Sequence, residues 1–323
     1  MNKQVLHSFL NLGVALAVAA APAFAQSKYK APRTPDGVPD IEGVYSNSSN
    51  VPLERANNLG AKEFYTPAEL TAQAKAAAVP REKAATQVGT VADIHYDVSQ
   101  FGLGKTVTDA MVNTRTSLIV GPTGKVPPMI AAATKRQQAA RALTAGHEMD
   151  GPENRGIAER CFYWGGEGPP MMPQGYNSNL QIAQGPGYVA IQQEMIHDVR
   201  IIPTDNRAHL DPSIRQWFGN SVGHWEGETL VVDTTNFNDQ PALGRGASRD
   251  LHVVERFTRT GPETVLYQFT VSDPQTWETS WSGEYPMGKI KGQVYEYACQ
   301  EGNYGMANIL SGARADEKKA AQK

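Results

Sequence analysis

The chain has 323 residues, 40% of them hydrophobic, with 30 Lys and Arg against 33 Asp and Glu. That balance offers no basic face for nucleic acid and no polybasic patch for a membrane surface. The length allows one large domain or two ordinary ones, with an ample core.

The first element reads as a targeting segment. Lys3 precedes an apolar stretch from Phe9 to Ala21, and Ala23-Phe24-Ala25 has the small-x-small form that a signal peptidase needs. Cleavage after Ala25 and export to the periplasm are expected. An apolar core of about thirteen residues is short of the roughly 20 that span a bilayer, and no later segment reads as a span, so no membrane insertion is expected after cleavage. Removing Lys3 leaves 29 basic against 33 acidic residues, a net charge of −4.

Residues 26–40 are Pro-rich and polar and read as an extended arm ending in Asp36-Gly37-Val38-Pro39. Ile41 to Ser46 reads as a strand. Thr66-Pro67-Ala68-Glu69 has the capping-box pattern with proline at the first helical position, which predicts a helix that stops at Val79-Pro80. Phe101 to Thr106, FGLGKT, looks like the end of a phosphate-binding loop, but Ser99 stands where that pattern needs glycine, and the stretch reads as an ordinary loop. Arg115 to Val120 reads as a strand, and Ile130 to Ala145 as a second helix ended by Gly146. These helices do not alternate with buried parallel strands, so 66–146 reads as an insertion rather than a nucleotide-binding domain. Cys161 and Cys299 allow one intramolecular pairing, and in an oxidising compartment a disulfide between them is expected.

From Asn177 the pattern is β. Candidate strands are Asn179–Gln184, Tyr188–Glu194, Val199–Pro203, Val222–Trp225, Thr229–Thr235, Leu251–Arg259, Thr264–Ser272, Thr276–Ser282 and Val294–Gln300. This predicts a mainly β fold, an antiparallel meander closed as a barrel or folded as a sandwich, with inserted helices in the N-terminal half. One elaborated domain over 41–313 is expected, followed by a disordered tail over 314–323.

Several polar residues invite a chemical reading. Trp225 and Thr229 flank Glu226-Gly227-Glu228, which reads as a three-residue turn with solvated glutamates and with His224 roughly across from Leu230. In that register His224 can face inward and bind a ligand, or sit at the rim. In the next pair of strands a turn centred on Thr260-Gly261-Pro262 puts Leu251, Val253, Glu255, Phe257, Val265, Tyr267, Phe269 and Val271 on one face, with Glu255 across from Tyr267. A carboxylate on an apolar face is costly when charged and unpaired, and is suited to proton transfer. Glu255 is the leading candidate acid or base, with Tyr267 as its hydrogen-bonding partner. The structural alternative is a buried ion pair with Arg200 or Arg215. Glu194 and His197 flank a tight turn and form a second candidate acid/base pair. The Gly/Pro loop from Trp164 to Gly175 carries Met171 and Met172 and is followed by Tyr176, Asn177 and Asn179, a set suited to a lid over a barrel mouth; Trp277 is counted with these ligand-facing residues. No H-E-x-x-H, G-x-S-x-G, dinucleotide or EF-hand motif is present, so neither a metal nor a cofactor is expected.

DGVPDIEGVYSN, TSLIVGPTGKVPP, YNSNLQIAQGPGYVAIQQEMIHDVRIIP, GHWEGETLVVDTTNF, LHVVERFTR and YEYACQEGNYG together resemble a family of uncharacterised exported bacterial proteins, from about Thr34 to Ala313. His224 stands where the family's W-E-G hairpin carries arginine, and the resemblance implies no catalytic residue. Gly43-Val44-Tyr45 is similar to the G-x-W signature of lipocalin-like barrels, which implies a pocket inside the barrel for a small apolar ligand. The readings that follow are a cofactor-independent lyase, isomerase or hydrolase acting on a small apolar or aromatic molecule, or a carrier or sensor of such a molecule. An envelope assembly factor is a third.

Overall fold

The computed structural model describes residues 29–77 and 111–322. The expected signal segment, the loop Phe101–Thr106 and the expected helix stop at Val79-Pro80 lie outside the described residues. Nine strands form one antiparallel sheet: β1 (Gly43–Ser46), β2 (Asn179–Gly185), β3 (Tyr188–Gln193), β4 (Val199–Pro203), β5 (Asn220–Glu226), β6 (Thr229–Thr235), β7 (His252–Gly261), β8 (Thr264–Ser272) and β9 (Trp281–Lys289). Their order, β4-β3-β2-β1-β9-β8-β7-β6-β5, curls into a nearly closed barrel. Alternate residues of each strand point inward, which gathers Tyr45, Leu180, Ile191, Val232, Phe257, Phe269 and Tyr285 into one core.

Among the described residues no ladder joins β4 to β5 at the seam. The two strands still lie close, because a Cβ on Gly223 would stand 3.0 Å from Ile202 and 3.2 Å from Thr204. Among the described residues three helices flank the barrel: α1 (Pro67–Ala77), α2 (Ala131–Thr144) and α3 (Tyr304–Ala320). The capping box forms at α1: the Thr66 amide donates to Glu69 Oε2 at 2.8 Å, and the Glu69 amide donates to Thr66 Oγ1 at 3.3 Å. Glu69 also pairs with Lys62, and that bond, with those from Thr66, holds its carboxyl down at about 2. Cys161 and Cys299 are bonded, with their Cα atoms 5.7 Å apart.

Three expected strands are absent. Residues 115–120 make isolated bridges from Arg115 to Phe64 and from Ile119 to Gly283, because their backbone bonds are shared among several neighbours. Thr276 and Trp277 both donate their amides to the Asp273 carbonyl, so a turn opens the expected strand at 276–282, of which only Trp281 and Ser282 are extended, as the start of β9. Residues 294–300 are irregular, and α3 runs through the segment read as a disordered tail, with Asn303 Oδ1 accepting the Met306 amide at 3.3 Å. β9 takes the place of the misassigned strand despite carrying Gly283, Pro286 and Gly288. Ser282 and Glu284 bond the 118–120 segment along one edge, and Pro286 continues that series in the gap before β1, where no ladder bond is lost.

Two registers differ from expectation. At β5–β6 the turn has two residues, with Gly227 at φ 60°, and Glu226 pairs with Thr229. His224 therefore pairs with Val231 and faces outward, exposed, 3.1 Å from Glu226. The glutamates are not simply solvated: Glu226 also accepts from Arg256 at 2.7 Å, and Glu228 pairs with Arg33 and accepts the Ala31 amide, pinning the N-terminal arm. At β7–β8 the turn is Pro262-Glu263 with a register shift between Arg259 and Gly261, so Glu255 pairs with Phe269 and Tyr267 with Phe257. The slip is two residues, so the expected inward face is preserved.

Candidate functional site

Glu255 is fully buried in the barrel. Arg200, pointing inward from β4, clamps it with Nη1 at 2.5 Å from Oε2 and Nη2 at 3.0 Å from Oε1. Tyr267 does converge on Glu255, diagonally rather than directly across, and donates its hydroxyl to Oε1 at 2.8 Å. The Met171 amide donates to the Tyr267 oxygen at 2.8 Å, and the Tyr285 hydroxyl donates to the Met171 carbonyl at 3.2 Å. The Gly/Pro loop thus inserts into the barrel end, with Met171 fully buried.

Burial pushes both tyrosine hydroxyls well above their ordinary range, and the Glu255 charge adds to it. Burial works to lower the Arg200 guanidinium, but the charge and hydrogen bonds of Glu255 outweigh it and the net shift is upward. The carboxylate is saturated by charge-assisted bonds. Of the two arginines considered as partners, Arg200 is the one used; Arg215 instead donates to the carbonyls of Phe237 and Arg249.

The second set also converges, but on itself. Glu194, buried, accepts Asn177 Nδ2 at 2.9 Å, Asn179 Nδ2 at 3.1 Å and the Tyr295 amide at 3.3 Å. The His197 side chain turns away to the Tyr297 carbonyl at 3.0 Å, so no Glu194–His197 side-chain pair forms. Asn47, at the same end, offers Nδ2 to the Met172 carbonyl at 3.5 Å. Tyr176 meets the Trp164 ring edge-on at 6.3 Å. Trp277 is core, its ring 5.6 Å from that of Trp281. Among the described residues no three His, Cys, Asp or Glu side chains are placed to hold a metal ion.

An open site lies outside the barrel. A cleft of about 520 Å³ is enclosed by the 49–52 segment, α1 and the 111–115 segment. Val51, Pro52, Tyr65, Leu70 and Met111 form its apolar walls, and Arg115, Asn113 and Gln73 supply polar groups. The volume lies in the range of about 300–1,000 Å³ usual for small-molecule sites. Arg115 is held by Glu284 at 3.1 Å and the Ser117 carbonyl at 3.2 Å, and its guanidinium lies 5.1 Å over the Phe64 ring. Its Nη2 is buried and, among the described residues, has no hydrogen-bond partner.

Arg55 braces the wall. It is buried and, among the described residues, has no carboxylate partner; it bonds Thr116 Oγ1 at 2.8 Å and the carbonyls of Gly60, Pro122 and Gly121. The capping box sets where α1 starts and so where Leu70 and Gln73 stand. Sequence reasoning found that helix start but passed over Arg55, Arg115 and Met111, because the cleft is assembled from three segments with no shared periodicity. No family model matches the chain, and no curated protein or solved structure matches it.

Proposed function

We propose that this chain is an exported binding protein for a small molecule with an apolar or aromatic body and one acceptor group, held in the Arg115 cleft. The observation that carries the reading is the cleft's composition: apolar walls with the donor-bearing side chains of Asn113, Gln73 and Arg115 among them. The Glu255 carboxylate supports binding over proton transfer, since three hydrogen bonds already occupy it inside a packed core. The core that fills the barrel likewise favours a ligand seated beside it.

Fluorescence titration with anilinonaphthalene sulfonate, an aromatic body carrying an anion, tests this. The parent protein is expected to bind saturably, and Leu70→Glu to weaken binding by about tenfold or more by setting an unpaired charge in the apolar wall. No saturable binding, or equal binding by Leu70→Glu, overturns the site. A compound in a metabolite extract consumed by the parent but not by Glu255→Gln overturns the reading in favour of an enzyme.

A further inference from the structure

A second cavity, of about 490 Å³, lies between the C-terminal end of α2, the 153–160 segment and the 240–247 loop. Its wall includes Tyr163, whose ring lies 5.9 Å from Trp217 and 6.1 Å from Phe218; Trp217 in turn stacks on Phe162 at 6.0 Å. The Ala242 amide donates to the Trp217 carbonyl at 3.0 Å, which ties this aromatic cluster to the 240–247 loop. Phe162 and Trp164, in the same run as Tyr163, are 43% and 45% exposed. Large rings grouped at a surface call for an explanation.

The remaining lining mixes Ile157, Pro241, Ala247 and glycines with polar side chains, several of which are uncommitted among the described residues. The side chains of Glu148, Glu153, Asn154 and Gln240 make no hydrogen bond among the described residues. Arg155 is held by Glu159 at 2.7 Å, and its buried Nε has no acceptor among the described residues. Arg160 stacks over Phe162 at 4.9 Å and donates to the Glu153 carbonyl at 3.4 Å. Two carboxylates and two guanidiniums leave the lining without net charge. Gly244, at φ 62° and with open space where a Cβ would stand, keeps the floor uncovered.

We propose that this cavity is a binding site for a neutral saccharide. A pyranose presents a flat face of C–H groups to an aromatic ring and hydroxyls around its edge. Tyr163 meets the face, while the carboxylates accept from hydroxyls and Asn154 and Gln240 both donate and accept. An apolar ligand would strip water from four polar side chains without replacing their bonds. A cation would meet Arg155 and Arg160, and an anion would meet Glu148 and Glu153.

The test is calorimetric titration with cellotetraose, maltotetraose and the tetramer of N-acetylglucosamine, with spermidine as the cationic control. At least one saccharide is expected to bind saturably. Glu148→Gln with Glu153→Gln is expected to weaken it by about tenfold, the loss of hydrogen bonds to charged acceptors, with an unchanged thermal midpoint because neither side chain holds the fold. Tyr163→Leu is expected to abolish binding, while Leu70→Glu, in the other cleft, leaves it intact. Failure of all three saccharides, binding of spermidine instead, or unaltered affinity in the Glu148/Glu153 double variant overturns the proposal.

Discussion

From β7 through β9 almost every second residue is buried, whereas beyond Lys289 no described residue is. The barrel holds together by interior packing, each fully buried large side chain contributing about 1.5–3 kcal/mol. The C-terminal segment holds by point attachments: the Cys161–Cys299 bond, the Tyr295 amide to Glu194 at 3.3 Å, His197 to the Tyr297 carbonyl at 3.0 Å, Asn303 to the Glu159 carbonyl at 2.8 Å, and Arg314 to the Met149 carbonyl at 2.7 Å. Damage to the first kind of structure spreads through the core, and damage to the second stays local. Both cavities lie among the flanking segments, where polar side chains are not consumed by packing.

The largest effect is expected at the Arg200–Glu255 ion pair inside the barrel. Arg200→Ala or Glu255→Ala leaves a buried charge without its partner and is expected to cost about 3–5 kcal/mol in urea unfolding. The pair joins β4, the seam strand, to β7 across the interior. Replacing both partners, Arg200→Met with Glu255→Leu, is expected to recover most of the loss, since no orphan charge remains. If the double variant is as unstable as the singles, the pair acts as a seam strut whose geometry an apolar contact does not reproduce.

How much of this the sequence carried follows from the periods involved. Alternation made the strands of the β half legible and put Glu255 on the inward face, because a two-residue slip at the β7–β8 turn leaves side-chain direction unchanged. One residue of error at the β5–β6 turn was enough to reverse His224. β9 was hidden because Gly283, Pro286 and Gly288 interrupt a strand-like pattern; Gly283 is needed there because a Cβ would run into the Phe269 ring. Arg200 was legible as a possible partner of Glu255, but the inserted Met171 was not, since an irregular loop path has no period. Glu194 was read with His197 and Asn177 with Asn179, so the convergence of the two asparagines on Glu194 was not drawn; it goes with positive φ at Asn177 and Ile196, which pattern alone does not show.

A smaller and more local effect is expected from the disulfide. Closing a loop of this length is worth about 5 kcal/mol in the chain-entropy model, but that figure assumes that the native state is unchanged when the bond is cut. Here every described residue beyond Lys289 is half-buried or exposed, so the cut native state gains much of the same freedom. Cys161→Ser with Cys299→Ser is expected to cost about 1 kcal/mol or less in barrel unfolding, while α3 becomes sensitive to limited proteolysis. A drop near the full chain-entropy value would mean that the flank is as cooperative with the barrel as the strands are with each other.

The smallest effect concerns a polar contact on the outer face of the barrel. Asp233 on β6 bonds His252 Nε2 at 2.6 Å and His209 Nε2 at 2.8 Å, and His209 reaches Asn220 Oδ1 at 3.1 Å. Burial works to raise the Asp233 carboxyl, but the bonds and charges of both histidines outweigh it and the net shift is downward. The hydrogen bond to Asp233 raises His252, against the opposing effect of burial. A lowered Asp233 adds stability above its unfolded value that is lost as pH falls through the folded one. A raised His252 adds stability below its unfolded value that is lost as pH rises through the folded one. The contact is therefore strongest between about pH 4 and about pH 6.5. With both side chains partly open to solvent, screening holds its worth to well under about 1 kcal/mol. Urea midpoints at about pH 5.5 and about pH 8.5 are expected to differ more in the parent than in Asp233→Asn. Equal differences in the two proteins would place the pH dependence elsewhere, and would show that the barrel's outer face, like its flanks, adds little to the stability set by its interior.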